Sequence, residues 1–200
     1  MSLERPSDLG PSDEELVLDV ADGETAAFDR LVERYQRKAA SVAYRLLSNT
    51  HDALEVTQEA FIKAYRNLGS LDDPARFRPW LMRIVTNLAL NFRRDRAVGG
   101  RRAALEGTPG NGGDLRDLIV QPAHSELQPG ARLAAEELSE RIQAALAELP
   151  EQQRAALVLF SLEEMPQKDV AAILDCSVEA VKWHVFQARR KLKDRLAEHL

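Results

Sequence analysis

The sequence predicts an all-α protein: two helical domains joined by a flexible linker, the C-terminal one containing a helix-turn-helix. Three observations support this. Apolar residues recur every three or four positions along most of the 200-residue chain. β-branched residues never build an alternating strand. Between Ala97 and Arg132 the helical period fails, and Gly99, Gly100, Gly107, Gly110, Gly112, Gly113 and Gly130 mix with Pro109, Pro122 and Pro129. The expected division is therefore 1–97 for the first domain, 98–131 for the linker and 132–200 for the second domain.

Each element has a local signal. Ser12 with Glu15 forms a capping box that opens a short helix through Val20, and Asp22 and Gly23 break it. Phe28, Leu31, Tyr35, Ala39, Val42 and Leu46 lie on one stripe of a long helix that stops near Ser48 and Asn49. A third helix is expected from Asp52 to Leu68, burying Leu54, Phe61, Tyr65 and Leu68 and ending at Gly69. The fourth carries Phe77, Trp80, Leu81, Ile84, Val85, Leu88 and Phe92, with Pro79 tolerable because it falls in the first turn. Within the linker, the islands Leu115, Leu118, Ile119 and Val120 are too short to form a core.

Helical pattern resumes at Leu138, Ile142, Ala145, Leu146 and Leu149, and Pro150 sits where the next helix begins. After a segment through Leu157, Val158 and Phe160 come two units, Gln167 to Leu174 and Ser177 onward, separated by Asp175 and Cys176. A short helix, a tight turn and a longer helix form the layout of a DNA-binding helix-turn-helix. Asp175 tolerates the left-handed geometry the turn needs, and Ser177 is a suitable N-cap. Val181, Val185, Ala188 and Leu192 define the buried face of the last helix, so Lys182, Trp183, Phe186, Gln187 and Arg190 point outward. That set suits phosphates, base edges and thymine methyls, although Phe186 is expected to pack against the preceding helices.

Charge is segregated behind a net of −5. Arg76 to Arg102 carries eight arginines against the single acid Asp95, and the C-terminal segment from Met165 is also basic, while the stretches before each are acidic. Two basic segments suggest two phosphate-contacting surfaces, and the competing reading is a solvated arginine face. On the fourth helix Arg83, Asn87, Arg93, Arg94 and Arg96 interleave with Phe77, Trp80 and Phe92, although Trp80 and Phe92 share a stripe with Ile84 and Leu88 and are expected in the core; Asn87 is best placed to reach a base edge.

Other classes are disfavoured. The acidic start has no basic or apolar leader region, and no apolar run approaches the ~18–20 residues of a bilayer span, so a cytoplasmic location without a membrane span is expected. One cysteine, Cys176, excludes an intramolecular disulfide, and its expected role is that of a small hydrophobe in the turn. His51, His124, His184 and His199 are too scattered to suggest ligand spacing, so no metal or cofactor is expected. No nucleophile with a base and no Gly-rich phosphate loop supports an enzyme.

Two stretches carry a family resemblance. Asp52 to Tyr65 (DALEVTQEAFIKAY) with Phe77 to Asn87 (FRPWLMRIVTN) resembles region two of bacterial extracytoplasmic-function sigma factors. Leu149 to Arg154 (LPEQQR), Lys168 to Val178 (KDVAAILDCSV) and Val181 to Leu192 resemble their region four. The resemblance implies a dissociable subunit that brings RNA polymerase core to promoter DNA. It implies contact of the third helix, through Asp52, Glu55, Gln58 and Glu59, with the clamp helices of the largest catalytic subunit. It also implies a contact with the flap of the second large subunit and an anti-sigma factor as partner. Capture of a flipped base of the minus-ten element falls to Leu71 to Ala75 and Asn87, and minus-thirty-five reading to the last helix. There the family commonly has Arg, Ser and Arg where this chain has Lys182, Trp183 and His184, and often Arg in place of Gln187, which implies a different preferred sequence. A stand-alone helix-turn-helix regulator with an N-terminal partner- or ligand-binding domain is the alternative, but it needs only one of the two basic segments.

Overall fold

The computed structural model describes residues 10–99 and 129–197, and the described residues form eight α-helices and no strand. Helix α1 (Asp13–Ala21) opens with the expected capping box: the Glu15 N–H donates to Ser12 Oγ at 3.2 Å, and the Ser12 N–H donates to Glu15 Oε2 at 2.7 Å. Helix α2 (Thr25–Leu47) ends where Ser48 turns left-handed at φ 58°, its N–H donating to the Tyr44 carbonyl at 2.8 Å. Helix α3 (Thr50–Arg66) starts before the expected position because Asn49 Oδ1 accepts the Asp52 N–H at 3.0 Å, making Asn49 the cap. Two short 3-10 turns, Leu68–Ser70 and Pro74–Arg76, lead into α4 (Phe77–Gly99).

The second half runs α5 (Pro129–Ala147), α6 (Glu151–Leu157), a π turn (Val158–Leu162), α7 (Gln167–Leu174) and α8 (Val178–Ala197). The flanking helices run into the expected linker from both sides. Helix α4 continues to Gly99 and α5 already begins at Pro129, where a proline fits the first helical turn. The remainder of 98–131, including the Leu115 to Val120 islands, lies outside the described residues. In the helix-turn-helix, Asp175 adopts φ 50°, ψ 51°, and Ser177 Oγ accepts the Ala180 N–H at 3.1 Å, so both turn assignments hold.

Helices α1 to α4 bury a core around Leu31, Leu46, Val56, Phe77 and Leu81. Phe77 is inaccessible, and burial of such a ring contributes about 1.5–3 kcal/mol. Small residues on α3, Ala53, Ala60 and Ala64, let that helix approach α2 and α4 closely. Tyr65, expected in the core, is instead 46% exposed and meets Phe28 edge-on at 5.0 Å. Phe186 is likewise 62% exposed rather than packed on the preceding helices, because Val181, Val185 and Ala188 suffice to seat α8.

The two halves pack directly against one another. Arg154 of α6, buried to 2% exposure, donates Nη1 to the Leu46 carbonyl at the end of α2 at 2.9 Å and Nη2 to the Leu149 carbonyl at 3.2 Å. Burial and the nearby Arg93 guanidinium lower its pKa to about 10, still leaving it charged at neutral pH. Glu163, beyond the π turn, sits between Arg45 of α2 (3.7 Å) and Arg78 of α4 (4.0 Å), while Arg78 Nη2 also donates to the Glu163 carbonyl at 2.5 Å. Desolvation raises the Glu163 pKa, against the pull of Arg45, Arg78 and Lys38. Arg76 pairs with Asp169 of α7, and Gln143 Nε2 of α5 donates to the Tyr44 carbonyl at 3.2 Å and Ser48 Oγ at 3.0 Å.

Candidate nucleic-acid and polymerase interfaces

The basic block on α4 is not one phosphate-facing surface. Arg76 and Arg78 face the second half, Arg93 Nη1 donates to the Leu46 carbonyl at 3.2 Å, and Arg96 pairs with Asp52. Arg94 is exposed and donates to Asn91 Oδ1 at 2.7 Å. Arg83 and Asn87 are exposed one helical turn apart, and with Asn91 another turn along they line an open groove of about 250 Å3. Its other walls are Lys63 from α3 and Trp80, Ile84 and Leu88 from α4. Half-buried Trp80 is fixed from behind by Phe77, ring centroids 6.0 Å apart. The groove thus combines two cations, two amides and an aromatic wall, a set suited to an unpaired base and its phosphates.

On α8, Lys182, Trp183, Phe186 and Arg190 are exposed and Gln187 is half-buried. His184 differs from the outward set. It is half-buried, its Nδ1 lacks a hydrogen-bond partner, and burial lowers its pKa, so it is a neutral ring at neutral pH rather than a phosphate cation. Trp183 stands edge-on to it, centroids 5.1 Å apart at 70°. Arg189 donates to Ser161 Oγ at 3.0 Å and lies over the Phe160 ring, tying α8 to the π turn.

The third surface lies on α3, where Glu55, Gln58 and Glu59 are exposed on a common face. Asp52 does not belong to it: at 7% exposure it is closed off by Arg96. Ile62, 52% exposed, continues the face one turn beyond Gln58 and Glu59.

Comparison with known proteins matches residues 31–98 to Sigma-70 region 2 and residues 139–192 to Sigma-70, region 4. The ECF RNA polymerase sigma-E factor of Haemophilus influenzae is 32% identical over 185 residues, spanning 92% of this chain and 95% of that one. The chain belongs to the ECF sigma factor family. It is also 32% identical over 180 residues to the ECF RNA polymerase sigma factor SigW of Bacillus subtilis, covering 90% and 94% of the two chains. Among solved structures, CnrH in complex with the cytosolic domain of CnrY superposes with a TM-score of 0.64 at 29% identity, over 94% of this chain and 99% of that one. The Bartonella quintana sigma factor RpoE in complex with the anti-sigma factor NepR shares the fold at a TM-score of 0.63 and 21% identity, over 85% and 96% of the chains.

As an ECF sigma factor, the protein directs RNA polymerase to promoters and initiates transcription. The groove and the α3 face lie in its region two and the helix-turn-helix in its region four. Sequence reasoning missed Lys63, Asn91 and Ile62. Asn91 had a usable signal, since Arg83, Asn87 and Asn91 repeat at four-residue spacing, whereas Lys63 comes from a different helix. No helix among the described residues is long and apolar enough to cross a membrane.

Proposed function

We infer that this sigma factor works through three separate surfaces and acts by binding rather than by catalysis. The exposed α3 face of Glu55, Gln58 and Glu59, with Ile62 as its apolar anchor, meets the clamp helices of the largest polymerase subunit, a polar surface with one apolar side chain to desolvate. The α4 groove and the Leu71 to Ala75 segment receive an unstacked base of the minus-ten element. Lys182, Trp183, Gln187 and Arg190 read the minus-thirty-five duplex, and region four also engages the flap of the second large subunit. The observation that carries this reading is the groove of Lys63, Arg83, Asn87 and Asn91, which lies on the opposite half of the protein from the recognition helix.

The packing of the two halves bears on this directly. Elements centred ten and thirty-five base pairs upstream lie roughly 85 Å apart at about 3.4 Å per base pair. A compact 200-residue chain has a radius of gyration of only about 16–17 Å. The packed arrangement is therefore a resting form, and the halves, 1–97 and 132–200, part on polymerase with 98–131 as the tether. An anti-sigma factor, the kind of partner seen with the Bartonella relative, would act by holding the resting form.

The test separates the two nucleic-acid surfaces on one promoter. Gln187→Ala should lower initial holoenzyme binding and relax preference at one upstream position, losing about 1–3 kcal/mol of discrimination, while sparing strand opening. Asn87→Ala should leave initial binding near wild type and reduce permanganate-reactive melted thymines. Failure of both variants at the same step would refute the division.

A further inference from the structure

Two aromatic rings stand in solvent on the recognition helix, where partial burial is the ordinary state for such side chains. Trp183 is 53% and Phe186 62% exposed, one helical turn apart on α8. They are not a loose apolar patch. Trp183 is steadied by the His184 ring, which is itself half-buried and uncharged. Exposed cations surround the pair: Lys182 precedes Trp183 and lies four residues before Phe186, and Arg190 lies four residues after Phe186. The main contacts that join the two halves of the protein run through α5, α6, α7 and the π turn rather than through α8. An apolar step rimmed by cations is electrostatically mismatched to a basic protein surface and matched to a nucleic-acid groove walled by phosphates.

Within the major groove, the apolar feature on base edges is the thymine C5-methyl group. Side chains one turn apart on a helix have Cβ atoms ~5–6 Å apart, comparable with the separation of methyls on neighbouring base pairs at a rise of about 3.4 Å. Resting on the assignment of α8 to duplex reading, we propose that Trp183 and Phe186 form a methyl-reading step that selects thymines in the upstream promoter element. Gln187, next to Phe186 and four residues beyond Trp183, supplies the polar contact beside it. Specificity at these positions comes from apolar contact rather than from an arginine fork on guanine.

The experiment uses holoenzyme assembled from the full-length chain and polymerase core. An upstream element is first selected from randomised duplexes, and each thymine in it is then replaced by deoxyuridine, which removes only the methyl. Thymine should be enriched at one or two adjacent steps, and each uridine replacement there should weaken binding about fourfold, the weight of one desolvated methylene-sized group. In Trp183→Ala or Phe186→Ala holoenzyme the corresponding uridine penalty should vanish, and circular dichroism should show both variants folded, since neither side chain is part of the core. Selection of an element without thymine, equal binding of thymine and uridine duplexes by the wild type, or a penalty that persists in both variants would overturn the proposal while leaving duplex reading by α8 intact. Failure to select any upstream element would overturn the duplex-reading assignment itself, and the methyl proposal with it.

Discussion

Reversing one charge at the junction of the two halves should open the protein. Arg76 ends the 3-10 turn before α4 and pairs with Asp169 in the first turn of α7, with side-chain exposures of 56% and 17%. So exposed a pair contributes about 0.2–1 kcal/mol. Arg76→Asp removes that attraction and sets two carboxylates face to face, a repulsion of about 1 kcal/mol at 4 Å in water. The combined change of about 1–2 kcal/mol shifts the balance between packed and parted forms by roughly 5–30-fold. Small-angle scattering should show the radius of gyration rising from the compact value of about 16–17 Å. The reciprocal variant, Arg76→Asp with Asp169→Arg, restores the pair and should restore compaction. Raising salt should expand the wild type and partly re-compact Arg76→Asp, because screening weakens the attraction in the one and the repulsion in the other. If Arg76→Asp stays as compact as the wild type, or the double variant is no more compact than the single, this ion pair does not help to hold the halves together.

Acidification should tighten the packed form. The Glu163 pKa is raised in the packed state by desolvation and returns toward its ordinary value when the halves part, so the packed state binds the proton more strongly. Stability of packing is therefore greatest below the ordinary carboxyl pKa and declines as pH rises through the raised value, and Glu163→Gln should flatten this profile in scattering measured across the acidic range. Replacing Glu55, Gln58 and Glu59 together with Ala should weaken holoenzyme assembly, read by co-elution with core polymerase, and change stability by no more than about 0.5 kcal/mol per exposed site. Asp52→Ala should behave oppositely, lowering the melting temperature because it leaves Arg96 without its partner at the base of α3.

Local signals were legible in the sequence wherever the determining groups are near neighbours. The Ser12 and Glu15 box, the left-handed Asp175 and the Ser177 cap all act within a turn of themselves, and each formed as expected. The stripe of Val181, Val185 and Ala188 was likewise readable from period alone. Asp52, which the resemblance assigns to the polymerase face, is paired with Arg96, 44 residues away, and helical spacing says nothing of a contact between α3 and α4. The same blindness made the arginines from Arg76 to Arg96 look like a phosphate surface, when several are held by carboxylates and carbonyls of other helices. Tyr65 falls on a stripe, and Phe186 beside one, whose width the sequence does not bound. Alanines on α3 and valines on α8 already fill the available depth, and the rings are left outside.

The Leu46 carbonyl has a consequence for how easily the molecule comes apart. It accepts from Arg93 of its own half at 3.2 Å and from Arg154 of the other half at 2.9 Å, one donor for each lone pair. When the halves part, the end of α2 keeps Arg93, and Arg154 keeps the Leu149 and Ala147 carbonyls at the end of α5. The Leu46 carbonyl and Arg154 Nη2 thus each keep a partner, and neither adds the roughly 1–3 kcal/mol cost of an orphaned polar group. If the halves part as proposed, this shared carbonyl lowers the polar cost of release, and what holds the joint is the apolar core that runs across both halves.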